Sequence, residues 1–561
     1  MSSESQIRPR TSYFHSASAE PFSGKTILEL QDEVAKQFPR RDALVFCESG
    51  VRISFRQYID DTKQLACDLV KLGLKPGERV CLWMGDGYEW IVLNSAIIRA
   101  GLIALALPEF QSTDDIRFTL NHMECSALFV GFSQYDQYGI LKQVLPDIES
   151  DTITLSNVPT LRNIVSFDEK CPLLGCSIVT SAAELRGNGG AAENVFLEYL
   201  KRKITADDTY MITLTSGSTG YPKPVVRTHR GTLENVYATK CHATSNDQKV
   251  IKILKSSPLA SSTGSYEAML LAWGATLVSP RQTEDFTGAL EAIENEGCNF
   301  AIIFPSILFQ IVNQKNIDNF DVSSMQRCWC VGNVFPKHSM LNIVKLFCPN
   351  VVITYGTRET LCISIGEVAD TLDDRISGKS KVLGHCEVKV VDTYQGVVPV
   401  NTIGDIMVRG PYLFQCYYGD KEATDKVKAE NGWYKTGDRG EMDENGRLFI
   451  FGRGDDMIIK GSQNVFPVTI TNYLGDHPKL KDAQVVPVPD EKFLSEMCLC
   501  VVLKEGVICT EDELLGYLSG KLSPFHMPRY VLFFEKFPFV GMKVNRKVII
   551  KEAISRLGLS K

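Results

Sequence analysis

The chain has 561 residues, of which 44% are hydrophobic and 23% charged, a balance typical of a folded globular protein. The formal net charge of −7 argues against a general nucleic-acid binder, because such a protein needs a basic surface for the phosphates. Seventeen cysteines are too sparse for a disulfide scaffold, which favours a reducing compartment, and we predict the cytoplasm. No stretch reaches the roughly 18 uninterrupted apolar residues of a membrane span, so we predict no transmembrane segment.

Strand-like and helix-like segments alternate from the beginning of the chain. Residues 43–46 and 80–84 are β-branched or apolar runs that predict strands. Residues 54–72 carry apolar side chains at helical spacing and precede a glycine- and proline-containing stop, and residues 90–100 predict a second helix. Strands that alternate with helices predict an α/β fold with largely parallel sheets.

The second half of the chain is richer in strands and changes character near its end. Residues 387–391 and 404–408 predict strands. After Arg453 a unit of about a hundred residues has its own strands, at 483–488 and 497–503, together with helices. We therefore predict a separate small C-terminal domain.

Residues 213–223, with the sequence TLTSGSTGYPK, are the most informative segment for function. Small hydroxyl residues and glycines let backbone N–H groups close around a polyphosphate, and Lys223 adds a positive charge. The segment is not a Walker loop, because GxxxxGK[ST] is not satisfied. By composition alone, a polar surface turn is the alternative interpretation.

This segment resembles the phosphate loop of the adenylate-forming superfamily, which contains acyl-CoA synthetases, luciferases and the adenylation domains of peptide synthetases. Further motifs follow in the family's order: YGTRE at 355–359 is similar to YGxTE, YKTGD at 434–438 to YxTGD, FGRGDDMII at 451–459 to GRxDDxI, and VPVPD at 486–490 to VGVPD. The resemblance extends from about Ser12 to the C-terminus and is strongest toward the medium-chain acyl-CoA synthetase branch.

The resemblance implies a large N-terminal α/β region of parallel sheets plus a distorted β-barrel, followed by a small mobile α+β domain. The implied divisions are an N-terminal extension at 1–24, an AMP-binding domain at 25–452 and a C-terminal domain at 453–561. The C-terminal domain would rotate about Asp455.

The resemblance also implies the residues that bind ATP. They are Thr215, Ser216, Gly217, Ser218, Thr219, Gly220, Tyr221, Pro222, Lys223, Tyr355, Gly356, Thr357, Asp438, Arg453 and Lys543. Asp438 would accept hydrogen bonds from the ribose and Arg453 would contact ribose or phosphate. Outside this family, a turn aspartate and a surface ion pair are the ordinary interpretations of two such residues.

Three residues are implied to be catalytic: Thr219, Glu359 and Lys543. Glu359 would bind Mg²⁺, since a hard cation prefers carboxylate oxygen. Lys543 would bridge the acyl carboxylate and the phosphate as charge develops. Taken alone, a solvated surface glutamate and lysine would be the alternative.

Several positions depart from the family's pattern. Pro224 follows Lys223 where glycine is usual, and Ser261 stands where a histidine or aromatic residue is common beside the acyl entrance. Ser462 replaces the second glycine of a pair that lines the pantetheine path. Thr469 and Thr471 replace glutamates, and Met542 replaces the glycine before the lysine.

The implied function is an ATP-dependent ligase that activates a fatty acid, medium-chain by resemblance, as acyl-AMP and transfers it to coenzyme A. Two alternatives stay open: an adenylating enzyme with another acceptor, and a non-catalytic relative that binds nucleotide or fatty acid. The family resemblance makes the mitochondrion the second choice of compartment. The sequence makes no prediction of the oligomeric state.

Overall fold

The fold was examined in a computed structural model, which describes residues 10–18, 21–109, 111–133, 135–150, 157–215, 222–243, 250–283, 286–314, 316–331, 337–460, 463–475, 477–490, 492–540 and 543–559. The α-helices are α1 (Ile27–Gln37), α2 (Phe55–Lys71), α3 (Tyr88–Arg99), α4 (Thr113–His122), α5 (Gln137–Val144), α6 (Ala182–Leu185), α7 (Ala191–Lys201), α8 (His229–Ala243), α9 (Ser262–Met269), α10 (Thr287–Glu296), α11 (Pro305–Val312), α12 (Lys337–Leu346), α13 (Leu372–Ser377), α14 (Lys421–Val427), α15 (Pro467–Leu474), α16 (Glu511–Leu518) and α17 (Arg546–Arg556).

The strands follow the same numbering. They are β1 (Tyr13–His15), β2 (Asp42–Phe46), β3 (Val51–Ser54), β4 (Arg79–Met84), β5 (Ile103–Ala106), β6 (Cys125–Gly131), β7 (Asn163–Ser166), β8 (Val179–Ser181), β9 (Thr209–Leu214), β10 (Pro224–Thr228), β11 (Lys252–Leu254), β12 (Thr276–Ser279), β13 (Phe300–Ile303), β14 (Arg327–Val331), β15 (Val351–Thr357), β16 (Leu361–Ile365), β17 (Ser380–Val382), β18 (Glu387–Val391), β19 (Gly404–Arg409), β20 (Tyr434–Met442), β21 (Arg447–Arg453), β22 (Ile458–Lys460), β23 (Gln463–Val465), β24 (Leu480–Asp490), β25 (Leu494–Leu503), β26 (Tyr530–Phe534), β27 (Phe539–Val540) and β28 (Lys543–Val544).

The helix predicted at 54–72 is α2. Ser54 is its N-cap and accepts a hydrogen bond from Gln57 N–H, so the end of the preceding strand directly starts the helix. Tyr58, Leu65 and Leu69 lie on one face at helical spacing and are buried. The prediction is confirmed, and so are the strands predicted at the positions of β2, β4, β18 and β19.

Two sheets form the N-terminal part of the described chain. One has seven strands in the order β10-β9-β5-β4-β6-β7-β8, parallel except for the β10/β9 pair. The other has 14 strands in the order β1-β18-β19-β20-β21-β17-β16-β15-β14-β13-β11-β12-β2-β3. Its β2 and β11–β15 strands pair in parallel, whereas the strands from β16 to β1 pair antiparallel.

The predicted α/β class is confirmed. The described antiparallel strands from β16 to β1 form one continuous run within the 14-stranded sheet. A single hydrophobic core joins the two sheets: it contains Leu82 of the smaller sheet, Phe300 and Trp329 of the larger one, and Trp90 of α3.

The chain beyond β21 has its own sheet, in the order β23-β22-β25-β24 with β26 beside β25. Successive residues of its strands enter two different cores, because side chains alternate between the faces of a strand. Val485 and Leu499 pack on one face, and Val486 and Cys500 on the other. Both faces are thus covered, as a separate small domain requires; the boundary at 452/453 stays a prediction. Among the described residues, none of the helices has the length and apolar character needed to cross a membrane.

Candidate functional site

The two ends of the predicted phosphate loop are held together by direct hydrogen bonds. Thr215 N–H donates to Lys223 O at 2.9 Å, and Lys223 N–H donates to the Thr215 hydroxyl at 3.1 Å. These bonds continue the antiparallel β9/β10 ladder, in which Leu214 lies opposite Pro224. Ser216, Gly217, Ser218, Thr219, Gly220 and Tyr221 lie outside the described residues. Thr215, Pro222 and Lys223 stand at the two bases of this loop.

Pro224, a departure from the family pattern, begins the edge strand β10. The first residue of an edge strand is a position where proline is tolerated, because its missing N–H leaves no ladder bond unmade. Its carbonyl still accepts a hydrogen bond from Tyr418 N–H at 2.8 Å. The loop can therefore close around Lys223 without glycine at this position.

Glu359 lies in the turn between β15 and β16 and is only 8% exposed. Its Oε1 accepts a 2.7 Å hydrogen bond from the hydroxyl of Tyr417. Burial first, and then the charge of Glu359, raise the pKa of Tyr417, so this hydroxyl remains a donor. The ammonium of Lys223 lies 5.1 Å from the centre of the same Tyr417 ring. Two motifs distant in sequence, the loop base and the β15–β16 turn, therefore meet at one tyrosine.

Asp438 connects a third motif to the same turn. Its Oδ2 accepts a 2.6 Å hydrogen bond from the hydroxyl of Tyr355, and its Oδ1 lies 3.0 Å from Arg453 Nε. Asp438 and Arg453 are register partners on β20 and β21, so the ion pair is a direct cross-strand pair. Burial and then Asp438 raise the pKa of Tyr355. Asp438 is 6% exposed, whereas the side chain of Arg453 is 53% exposed and reaches toward solvent.

Two glycines of these motifs have local structural reasons. A Cβ on Gly356 would lie 1.9 Å from Leu361 O, so no other residue fits the bulge between β15 and β16. Gly437 has φ +78°, and a Cβ there would meet Arg453 Nη1 at 3.0 Å. Gly356 is thus accounted for by packing, and its contact with a nucleotide stays a prediction.

Thr357, Lys543 and Asp455 are further candidates from the sequence. Thr357 Oγ1 accepts a hydrogen bond from Glu359 N–H at 3.2 Å, which stabilises the turn. Lys543 begins β28, whose partner is β27; its side chain lies outside the described residues. Asp455 lies in a short turn of 3₁₀ helix directly after β21. Ser462 and Met542 also lie outside the described residues.

The other residues that depart from the family's pattern, Ser261, Thr469 and Thr471, make hydrogen bonds to nearby backbone groups. Ser261 is the N-cap of α9, and its hydroxyl accepts a 3.0 Å hydrogen bond from Gly264 N–H. The hydroxyls of Thr469 and Thr471 donate to carbonyls within and just before their own helix, those of Phe466 and Val468. These hydroxyls satisfy backbone groups where the family has glutamates.

Sequence reasoning missed three residues. Tyr417 lies in none of the sequence motifs, and no sequence signal could have identified it as a site residue. Arg358 occupies the fourth position of YGTRE, where the YGxTE pattern has threonine, and that mismatch could have been noticed. Arg227 is the charged residue within the otherwise uncharged strand β10 and is 3% exposed. Its Nη1 donates to the carbonyls of Glu359 and Tyr412, at 3.2 and 3.1 Å.

Arg227 is buried and Arg358 is half-buried. Burial lowers the pKa of Arg227 to about 10 and also lowers the pKa of Arg358, against the raising effect of Glu359. A pKa of about 10 leaves the Arg227 guanidinium positively charged at neutral pH.

Known structures share this arrangement of sheets and C-terminal domain. The anthranilate CoA ligase AuaEII in complex with anthranoyl-AMP superposes with a TM-score of 0.81 at 19% identity, over 96% of this chain and 99% of that one. ATP-bound MatB from Rhodopseudomonas palustris gives a TM-score of 0.78 at 20% identity, over 94% and 99%. The chain therefore has the fold of these two proteins.

Family models agree with the fold. The AMP-binding enzyme model matches residues 31–418, and the model of the AMP-binding enzyme C-terminal domain matches residues 470–540. A mitochondrial medium-chain acyl-CoA ligase of Danio rerio is 31% identical over 98% of this chain and 92% of its own length. A putative acyl-CoA synthetase of Bacillus subtilis is 28% identical over 95% and 98%. The chain belongs to the AMP-binding enzyme family.

Proposed function

We propose that this protein is an ATP-dependent acyl-CoA synthetase that activates a fatty acid as acyl-AMP and transfers the acyl group to coenzyme A. One observation carries the proposal: residues 355–361, the end of β15 and the turn into β16, contact two other motifs. Glu359 bonds Tyr417, whose ring lies beside Lys223 of the loop base. Tyr355 bonds Asp438, which pairs with Arg453. The names of the relatives, which are acyl-CoA ligases and synthetases, support the same activity.

In the proposed mechanism the nucleotide lies across this turn. Asp438 holds the ribose hydroxyls with its buried carboxylate, and Tyr355 and Arg453 keep that carboxylate in place. Thr215, Pro222 and Lys223 hold the base of the loop whose residues 216–221, Thr219 included, surround the phosphates. Positioning and charge neutralisation are the main requirements when two anions meet at the α-phosphorus.

Glu359 is the proposed ligand of Mg²⁺. A buried carboxylate has the oxygen chemistry that this hard cation requires, so the residue fits the role. Its backbone is fixed because Glu359 O accepts hydrogen bonds from both Arg227 and Phe414 N–H. Bound Mg²⁺ would neutralise phosphate charge, while Glu359 itself supplies orientation.

The C-terminal domain is proposed to serve both half-reactions. Lys543 stabilises the charge that develops between carboxylate and phosphate during adenylation. Rotation about Asp455 then withdraws Lys543 and opens a path for the thiol of coenzyme A. Hinges that absorb such a change are short segments between packed elements, as the turn after β21 is.

A fatty acid of medium chain length is the proposed substrate, in keeping with the animal relatives, which are named medium-chain acyl-CoA ligases. For the compartment, the sequence predicts the cytoplasm, and the word mitochondrial in those names favours the second choice.

The test is pyrophosphate release by the purified protein with Mg·ATP and a panel of short- to long-chain acids, with and without coenzyme A. We expect acid-dependent pyrophosphate release and an acyl-CoA product. Release without consumption of coenzyme A would favour another acceptor. ATP binding without release for any acid would favour the non-catalytic alternative.

A further inference from the structure

A small cavity beside the site is lined by two arginines. Arg227 of β10 and Arg358 of the β15–β16 turn face it together with Ser262, Ser265 and Tyr266 of α9. Its volume is about 20 Å³, room for one water molecule or a similarly small group. The cavity adjoins the site, since Thr213 of β9, just before the phosphate loop, also lines it.

Two polar groups at this cavity lack partners among the described residues: Nη2 of Arg227 and Oγ of Ser262. Both atoms are inaccessible to solvent, and Arg227 as a whole is 3% exposed. A buried polar group without a hydrogen bond costs about 1–3 kcal/mol, and a charged one costs more. Such an arrangement is expected at a place where a ligand completes the hydrogen bonding.

The charges around the cavity favour an anion. No ion pair joins Arg227 or Arg358 to a carboxylate within the part of the chain that the structure describes; Arg227 instead uses Nη1 for two backbone carbonyls. The nearby carboxylate of Glu359 accepts a hydrogen bond from Tyr417, and its negative charge acts against the lowering of the pKa of both arginines. Arg227 Nη2 and Ser262 Oγ can both donate to one carboxylate oxygen, which needs about the room of a water molecule.

The hydrocarbon end of a simple fatty acid would leave these donors unsatisfied. The wall formed by α9 begins at Ser261, the residue that the family resemblance places beside the acyl entrance, so the cavity lies on the acyl side. Given the proposed function, on which this inference rests, we propose that Arg227 and Arg358 bind the distal carboxylate of a dicarboxylic acid, whose other carboxylate is adenylated.

The experiment compares acids of equal length with one or two carboxylates: hexanoate with adipate, octanoate with suberate, and decanoate with sebacate. Pyrophosphate release is measured for the wild type, Arg358→Thr, Arg227→Lys and Arg227→Leu. Arg230→Ala is the matched control, since Arg230 lies three residues beyond Arg227 and pairs with exposed Asp207.

We expect the wild type to use at least one dicarboxylic acid about tenfold or more better, in kcat/KM, than its monocarboxylic partner. Arg358→Thr should raise the KM for that acid about 10- to 100-fold, leave the KM for ATP unchanged and spare the monocarboxylic acid. Arg227→Lys keeps the charge with fewer donors, so its KM for the dicarboxylic acid should lie between those of the wild type and Arg358→Thr. If Arg227→Leu does not fold, Arg358→Thr and Arg227→Lys still decide the question.

Equal losses with both classes of acid in Arg358→Thr, or a raised KM for ATP in that variant, would place Arg358 at the reacting carboxylate or the phosphates and overturn the inference; Arg227 also holds the Glu359 carbonyl, so the KM for ATP of its variants is not used for this decision. Wild-type activity with monocarboxylic acids that equals or exceeds that with dicarboxylic acids would overturn it as well, with water as the occupant of the cavity and the proposed function intact. If no acid of either class supports pyrophosphate release, the proposed function itself is overturned.

Discussion

Asp438 does two things in the structure that its motif alone does not convey. Besides facing the proposed ribose site, it anchors Tyr355 and pairs with Arg453 across β20 and β21. Tyr355 and Arg453 therefore depend on Asp438 for their positions, as the nucleotide does in the proposed mechanism. The consequence is that a substitution here acts on the arrangement of three side chains.

Asp438→Ala should raise the KM for ATP, with a loss of roughly 1.5–3 kcal/mol in kcat/KM, because a charged hydrogen-bond acceptor is removed. The measurement is pyrophosphate release against ATP concentration at saturating acid. Asp405→Ala is the control: Asp405 lies on β19 and pairs with Lys435 of the adjacent β20. Unchanged ATP kinetics in Asp438→Ala would mean that the ribose is bound elsewhere.

Lys543→Ala should abolish formation of acyl-AMP and leave the reaction of supplied acyl-AMP with coenzyme A largely intact, because in the proposed mechanism the lysine acts only in adenylation. The two half-reactions are assayed separately. Lys547→Ala, at an exposed position of α17, should change neither. An equal loss of both half-reactions would show that the adenylation role has been assigned to the wrong residue.

At the scale of elements, α9 and its cap combine three features within seven residues: a capping hydroxyl, a hydroxyl without a partner among the described residues, and a buried carboxyl. Ser261 caps its first turn, Ser262 faces the arginine-lined cavity, and Glu267 is fully buried on the same helix. Changes in this helix should therefore affect acid preference and stability together.

Ser261→His should penalise long acids more than short ones, because a ring fills space at the proposed acyl entrance. It should also lower stability by about 1 kcal/mol through loss of the cap. The measurements are kcat/KM across chain lengths and the thermal unfolding midpoint. Ser261→Ala loses the cap without added bulk, so it should share the stability loss alone. A chain-length shift of equal size in Ser261→Ala would contradict the steric explanation.

The free energy of unfolding should depend on pH because of Glu267. Burial raises its pKa to about 8, although Lys255 and the hydrogen bonds of Ser256 oppose the shift. Lys255 is itself paired with Asp86 at 2.5 Å. Because the folded state holds this proton more tightly than the unfolded chain, the stabilisation is complete below the unfolded pKa and is lost as pH rises through about 8.

Glu267→Gln cannot lose a proton and should remove this contribution. Between pH 5 and pH 8.5 the free energy of unfolding of the wild type should fall by on the order of 2–4 kcal/mol more than that of the variant. Urea unfolding at both pH values measures it, with exposed Glu505→Gln as control. Parallel pH profiles for wild type and Glu267→Gln would contradict a protonated Glu267.

At the scale of the whole molecule, two hydrophobic cores of the C-terminal sheet are separate from the core that joins the N-terminal sheets. The chain passes from one part to the other just after β21, where Asp455 lies. In the proposed mechanism a change of backbone angle at this turn reorients the C-terminal part, and because the three cores are separate, none of them has to change.

Asp455→Pro should separate the half-reactions, because proline fixes φ at the proposed pivot. Thioester formation should fall far more than adenylation. Asp455→Ala leaves φ adjustable and should retain both activities. A uniform loss in the proline variant, together with a lower unfolding midpoint, would indicate misfolding in place of a blocked rotation.

The sequence by itself determined the α/β class, the order of many elements and the positions of the motifs. These are local properties: hydrophobic period fixes a helix such as α2, and capping residues such as Ser54 fix its start. A motif such as YKTGD is likewise a short string, so it can be recognised without knowing what surrounds it.

Only the tertiary structure decided what meets at the site. Tyr417 reaches Glu359 and Lys223, and Arg227 reaches Glu359 O, through contacts between residues far apart in the chain. No periodicity encodes such contacts, because they depend on how β10, β15 and the segment before α14 pack together. The same holds for the cavity lined by Arg227 and Arg358: packing buries Arg227 and leaves its Nη2 without a partner among the described residues, and burial is a property of the packed molecule.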